Sequence, residues 1–136
     1  MVLGTGEAEF EPIRGEPHLT LVAGVQGGFH VWASFMAYGF SAERVGMTLT
    51  TSLDGVDDSS LVMHAQLSTR DALDEAGLPM RAFAGFPAQI KNARCANAHR
   101  VRIELSLTDP DDEGSAGDMR FCIADVAPVY QLADCP

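Results

Sequence analysis

The chain has 136 residues, with 9 Lys plus Arg against 19 Asp plus Glu, a formal net charge of −10 and 46% hydrophobic residues. That length supports one core and not two. The apolar fraction excludes a disordered tail, and the acidic balance argues against nucleic acid as a partner. No apolar run reaches the roughly 18–20 residues that a membrane-spanning helix requires.

The opening residues, Met1 to Glu9, are polar and Gly-containing and lack the basic region and apolar core of a signal peptide. They read as a flexible segment ahead of a single domain at 10–136. From there the pattern is strand-like. Residues 18–23 form a short strand, followed by the glycine-punctuated Gly24-Val25-Gln26-Gly27-Gly28. The run 29–37 sets Phe29, Val31, Ala33, Phe35 and Ala37 on an apolar face, which sends His30, Trp32, Ser34, Met36 and Tyr38 to the other. A competing reading buries Trp32 as well, since a strand can be covered on both sides. Residues 45–53 alternate, with Val45, Met47, Leu49, Thr51 and Leu53 on one face, and Asp54-Gly55 gives a turn signal. Residues 60–68 resume with Leu61, Met63, Ala65 and Leu67 together.

The middle is less regular. Residues 71–76 are expected as a helical turn ending at Gly77, 80–86 as a short strand, and 87–99 as a loop with one further helical turn. The clearest strand is 100–108, with Val101, Ile103, Leu105 and Leu107 inward. An acidic turn over 109–117 leads to a returning strand at 118–126, with Met119, Phe121 and Ile123 expected inward, and 129–132 closes the sheet. Many short strands separated by turns and no long helical pattern define an all-β class: a single antiparallel sandwich of about seven strands with one or two helical turns.

The hairpin 100–108/118–126 resembles the last strand pair of immunoglobulin-like and fibronectin-like exported modules. The stretch Gly24-x-Gln26-Gly27-Gly28-x-His30-x-Trp32 resembles segments of bacterial exported or lipoprotein-type proteins. The resemblance implies an immunoglobulin-like sandwich that is exported to the periplasm, outer envelope or medium once a leader is removed. Without a leader the chain is cytoplasmic.

Three cysteines make one bridge and one thiol in an oxidising compartment. Cys95 lies in a loop and Cys135 in the tail, so the expected bridge joins them and leaves Cys122, inside a strand, free. The glycine-rich turn has neither the order nor the following helix of a phosphate cradle, and reads as a tight turn. Cys95 and His99 with Cys135 make half a zinc signature. His30 and His64 with Met36, Met47 and Met63 offer soft ligands to copper. Asp109, Asp111 and Glu113 open like a calcium loop, but Arg120 stands where the last carboxylate belongs.

No catalytic motif appears. The reading is therefore a non-catalytic interaction or structural module without a cofactor, whose partner is another protein or an envelope component. Its contact surface is Gln26, His30 and Trp32, with His64 as a neighbour. The alternatives are a metal-binding envelope protein and a small enzyme.

Overall fold

The computed structural model describes residues 1–23, 29–38, 44–67, 72–73, 79–90, 99–108 and 115–126. Ten strands run in chain order: β1 (Val2–Thr5), β2 (Glu11–Pro12), β3 (His18–Ala23), β4 (Phe29–Tyr38), β5 (Arg44–Leu53), β6 (Val56–Gln66), β7 (Ala72–Leu73), β8 (Pro79–Ile90), β9 (His99–Thr108) and β10 (Ser115–Val126). Pairing follows the path β2-β1-β4-β3-β10-β9-β5-β6, with β8 on β4 and β7 on β8. The all-β class stands, with more strands than the alternation alone delimits.

Several expectations need correction. The arrangement is mixed and not purely antiparallel, because β3 runs parallel to β10 with His18 opposite Ile123 and Leu21 opposite Val126. The end of β3 then pairs antiparallel with β4, Val22 to His30, so this one strand joins the two halves of the sheet. The helical turns are not formed among the described residues: Ala72–Leu73 is a strand, and 87–90 continue β8 to Ile90. Pairing of β8 with β4 across Pro87–Trp32 and Ile90–Phe29 overrides the loop-like composition there. The opening segment 1–9, expected to lie free of the domain, enters it: β1 pairs with β4 and Leu3 is fully buried.

The hairpin β5–β6 follows its sequence closely. Asp54 and Gly55 take positive φ in succession, 49° and 85°, as a two-residue hairpin turn demands. The turn is docked on β9, where Asp54 N donates to Arg100 O at 2.9 Å and Arg100 N donates to Asp54 Oδ1 at 3.0 Å. Inward residues of β5 (Val45, Met47, Leu49) and β9 (Val101, Ile103, Leu105, Leu107) join Val31, Ala33, Phe35 and Ala37 of β4 and Phe86, Ala88 and Ile90 of β8 in a single buried cluster. The two halves thus share one core.

In β10 the inward face is the opposite of the one expected. Cys122 and Ala124 are buried, whereas Met119 is 45% exposed and Phe121 and Ile123 lie half-buried on the outside. Register decides this: Cys122 faces Val101 and Phe121 faces Arg102, and cross-strand partners share a face. The apolar Phe121 is covered from outside by the Arg100 guanidinium, 3.8 Å above the ring centroid. Cys122 is a free thiol pushed up to about 11 by burial and, secondarily, by the charge of Glu16. The bridge expected between Cys95 and Cys135 lies outside the described residues, as do 109–114 and 129–132, while 115–117, expected in the acidic turn, belong to β10.

Asp118 ties the first strand to the last. Its Oδ2 accepts from Leu3 N at 2.8 Å and from Arg120 Nε at 2.9 Å, and its Oδ1 accepts from Met119 N at 2.9 Å. Burial pushes this carboxyl up, but the three hydrogen bonds and the Arg120 charge outweigh it and hold it below the usual carboxylate range. A carboxyl depressed on folding stabilises above its unfolded value, and that stability is lost as pH falls through the folded one. Asp118→Asn is therefore expected to cost about 1.5–3 kcal/mol at neutral pH. The urea midpoints of the two proteins should converge at strongly acid pH. A gap that persists unchanged into acid would exclude this role for the carboxylate.

Candidate contact surface

β4 lies between β1 and β3 on one edge and β8 on the other, which fixes the residues of its outer face. His30 and Trp32 stand two apart there and meet edge to face, with ring centroids 4.7 Å apart and planes at 76°. Both are half-buried. The intermediate burial decides between the two readings of Trp32. The indole faces away from the core, but neighbouring chain covers part of it.

The pair has rigid backing. Thr5 Oγ1 donates to Trp32 O at 2.7 Å, and Ser34 Oγ donates to Thr5 O at 2.5 Å, so β1 clamps β4 from Trp32 to Ser34. Ser34, expected outward and open, is fully buried. The period of two holds, but the outer face is roofed at this point: the Phe10 ring lies over Gly4, the cross-strand partner of Ser34. Exposure resumes toward Trp32 and His30.

On the other edge, a bulge sits where β4 advances from Ala33 to Phe35 while β8 advances from Phe86 to Phe83. Gly85 occupies the bulge with φ of 76°, and its N–H donates to Gly6 O at 3.2 Å, which draws the segment at Glu7 over the sheet. His30 feels this segment. Its imidazole is held below the ordinary value by burial, partly countered by the Glu7 charge. The buried Nε2 of His30 has no hydrogen-bond partner in the protein. The imidazole thus sits beside the indole edge with that nitrogen turned in under the covering chain, and the pair offers a partner its partly exposed ring surfaces.

The remaining sequence candidates scatter. His64 is exposed on β6, opposite Gly46 of β5, so it does not join the His30–Trp32 pair. Gln26, Asp109, Asp111, Glu113, Cys95 and Cys135 lie outside the described residues. The copper set is divided, since Met47 is in the core at 1% exposure while Met63 sits at the core margin on another strand. Among the described residues no group of three or more His, Cys, Asp or Glu is placed to hold a metal.

A second feature escaped the sequence reading. On the outer face of the other half, an open groove of about 560 Å³ is lined by Thr50, Asp57, Asp58, Ser60, Arg102 and Glu104 among others. It forms where β6 carries one extra residue, Asp58, between Asp57 opposite Ser52 and Ser59 opposite Thr51. Arg102 reaches Asp57 at 3.4 Å, and its Nε is buried without a partner. Asp57 comes onto the face of Arg102 through the bulge, which sets it opposite Ser52, the cross-strand partner of Arg102. Comparison with protein-family models, curated proteins and solved structures finds no match to the chain.

Proposed function

We propose that this chain is a non-catalytic interaction module of an exported or cell-envelope assembly, with an immunoglobulin-like sandwich plan and the outer face of β4 as its contact surface. The observation that carries the reading is the edge-to-face His30–Trp32 pair, half-exposed on a strand clamped from both sides. Rigid aromatic side chains with a polar tip are the groups that dominate protein–protein contacts, because burying them costs little conformational entropy. Two halves sharing one core, joined by a strand that passes between them, support the sandwich plan. The buried, free Cys122 leaves Cys95 and Cys135 as the pair that an oxidising compartment would join, which supports export.

The test is partner capture by the intact chain from envelope and culture-medium fractions, beside Trp32→Ala and His30→Ala. The expected result is a defined partner that binds the unaltered chain and is weakened about thirtyfold or more by Trp32→Ala, a loss of about 2 kcal/mol. Recovery of the same partner with undiminished affinity by both variants would remove the surface from the account.

A further inference from the structure

The groove on the outer face of β5, β6 and β9 has the volume of a small-molecule site, about 560 Å³ against a usual range of about 300–1,000 Å³. Its lining is of another kind. Small-molecule sites are walled mainly by apolar and aromatic side chains, whereas every described residue lining this one is Ser, Thr, Asp, Glu or Arg. Register sets the layout. Partners across a sheet share a face, so two rows cross the groove: Asp57–Ser52–Arg102 and Ser60–Thr50–Glu104. Neighbouring strands lie about 4.8 Å apart, and side chains two positions along a strand about 6.8 Å apart. The rows therefore mark out a small rectangle, with a carboxylate and a hydroxyl at its corners on β6 and a guanidinium and a carboxylate at its corners on β9. Ser52, at 4% exposure, and the half-buried Thr50 lie at its middle, and Asp57, Ser60 and Glu104 stand exposed at the rim.

We propose that this groove binds a neutral saccharide through adjacent hydroxyl groups. Charge narrows the ligand first. An anion would meet Asp57 and Glu104 on either side of Arg102, and a cation would meet Arg102 between them. Among the described residues no group of three or more His, Cys, Asp or Glu is placed to hold a metal. A neutral ligand escapes both repulsions. Backbone pairing narrows it further. β5 is hydrogen-bonded to β6 on one edge and to β9 on the other, so the floor has no free ladder for a peptide strand to extend. Side chains alone must hold the ligand, and they offer donors and acceptors side by side. The Arg102 side chain is 34% exposed and touches Asp57 at 3.4 Å. Its Nε is covered by the protein, so the terminal N–H groups are the ones that can meet a ligand. Two positions along β9, Glu104 only accepts when ionised. A sugar hydroxyl both donates and accepts, so one hydroxyl can accept from Arg102 while its neighbour donates to Glu104, with Thr50 and Ser60 adapting to the rest. Because the wall has no aromatic ring on which a sugar could stack, the affinity expected for one ring is about millimolar. The groove lies away from β4 and stands or falls separately from the contact surface there.

Amide chemical-shift mapping of the full, nitrogen-15-labelled chain tests it. The probes are glucose, galactose, mannose and N-acetylglucosamine, with cellotetraose and chitotetraose as chains. The expected result is a saturable shift at Thr50, Ser60, Arg102 and Glu104 with at least one of them. Tighter binding of a tetramer than of its single sugar assigns the groove to a glycan chain, and equal binding assigns it to a free sugar. Arg102→Met, which keeps the stem and removes the guanidinium, and Glu104→Ala should each weaken binding about tenfold or more, and both sites reach the surface, so folding survives. His64→Ala on β6 and Trp32→Ala on β4 should leave it unchanged. No shift in the groove with any of these sugars up to about 50 mM would overturn the proposal. So would shifts that both groove variants retain, shifts that Trp32→Ala abolishes, or a groove that responds to calcium chloride or inorganic phosphate and not to sugar.

Discussion

Leu105→Asp should unfold most of the molecule at room temperature, and Glu104→Ala, one residue away, should change stability by no more than about 0.5 kcal/mol. Leu105 is wholly buried between Leu49 of β5 and Asp118 of β10. Truncating such a side chain alone costs about 2–5 kcal/mol. A carboxylate there adds the desolvation of an unpaired charge and sets it directly across from Asp118, whose own partner Arg120 is already engaged. The combined loss approaches the 5–15 kcal/mol or so that stabilises a typical domain. Urea titration followed by far-ultraviolet circular dichroism reads both variants. Comparable midpoints would mean that β9 presents its other face to the core.

Gly85→Val should be the next most damaging change, at about 3 kcal/mol. Two effects combine. At φ of 76° a β-branched residue is strained in its own backbone. A Cβ at this position would also overlap the Glu7 carbonyl oxygen, so the bulge and the segment above it cannot both keep their places. Gly15→Ala separates the two effects, because Gly15 has a similar φ of 67° but open space around its Cβ position. It should lose only the conformational part, about 1–2 kcal/mol. Equal losses at Gly15 and Gly85 would show that the N-terminal segment does not depend on the bulge.

The parts of the fold legible in the sequence are those where one strand alone carries the information. The alternation of 100–108 and 45–53 identifies both their strand character and their inward faces, and Asp54-Gly55 identifies the turn after the second. What was not legible depends on which strand lies next to which. In 118–126 both faces carry apolar residues, so only the pairing of Cys122 with Val101 shows which face is inside. Residues 87–90 have loop-like composition and become a strand because β4 offers its edge. The candidate surface divides in the same way. That His30 and Trp32 share an outward face follows from a period of two, whereas their T-shaped contact depends on rotamers that spacing does not set. The roofing of Ser34 by the β1–β2 turn, and the influence of Glu7 on His30, arise from chain remote in sequence.

The pH dependence of Trp32 emission tests the contact surface most directly, because Trp32 is the single tryptophan and His30 is its ring neighbour. A protonated imidazole at a centroid distance of 4.7 Å withdraws charge from the excited indole and quenches it. With the His30 pKa held below the ordinary imidazole value, emission should stay constant at neutral pH and fall only on mild acidification, with a midpoint below that of a free imidazole. His30→Ala should abolish the transition, and acrylamide should quench the indole throughout, as its half-exposure requires. Emission that is independent of pH, identical in His30→Ala and shielded from acrylamide would place Trp32 in the core and contradict a contact surface on β4.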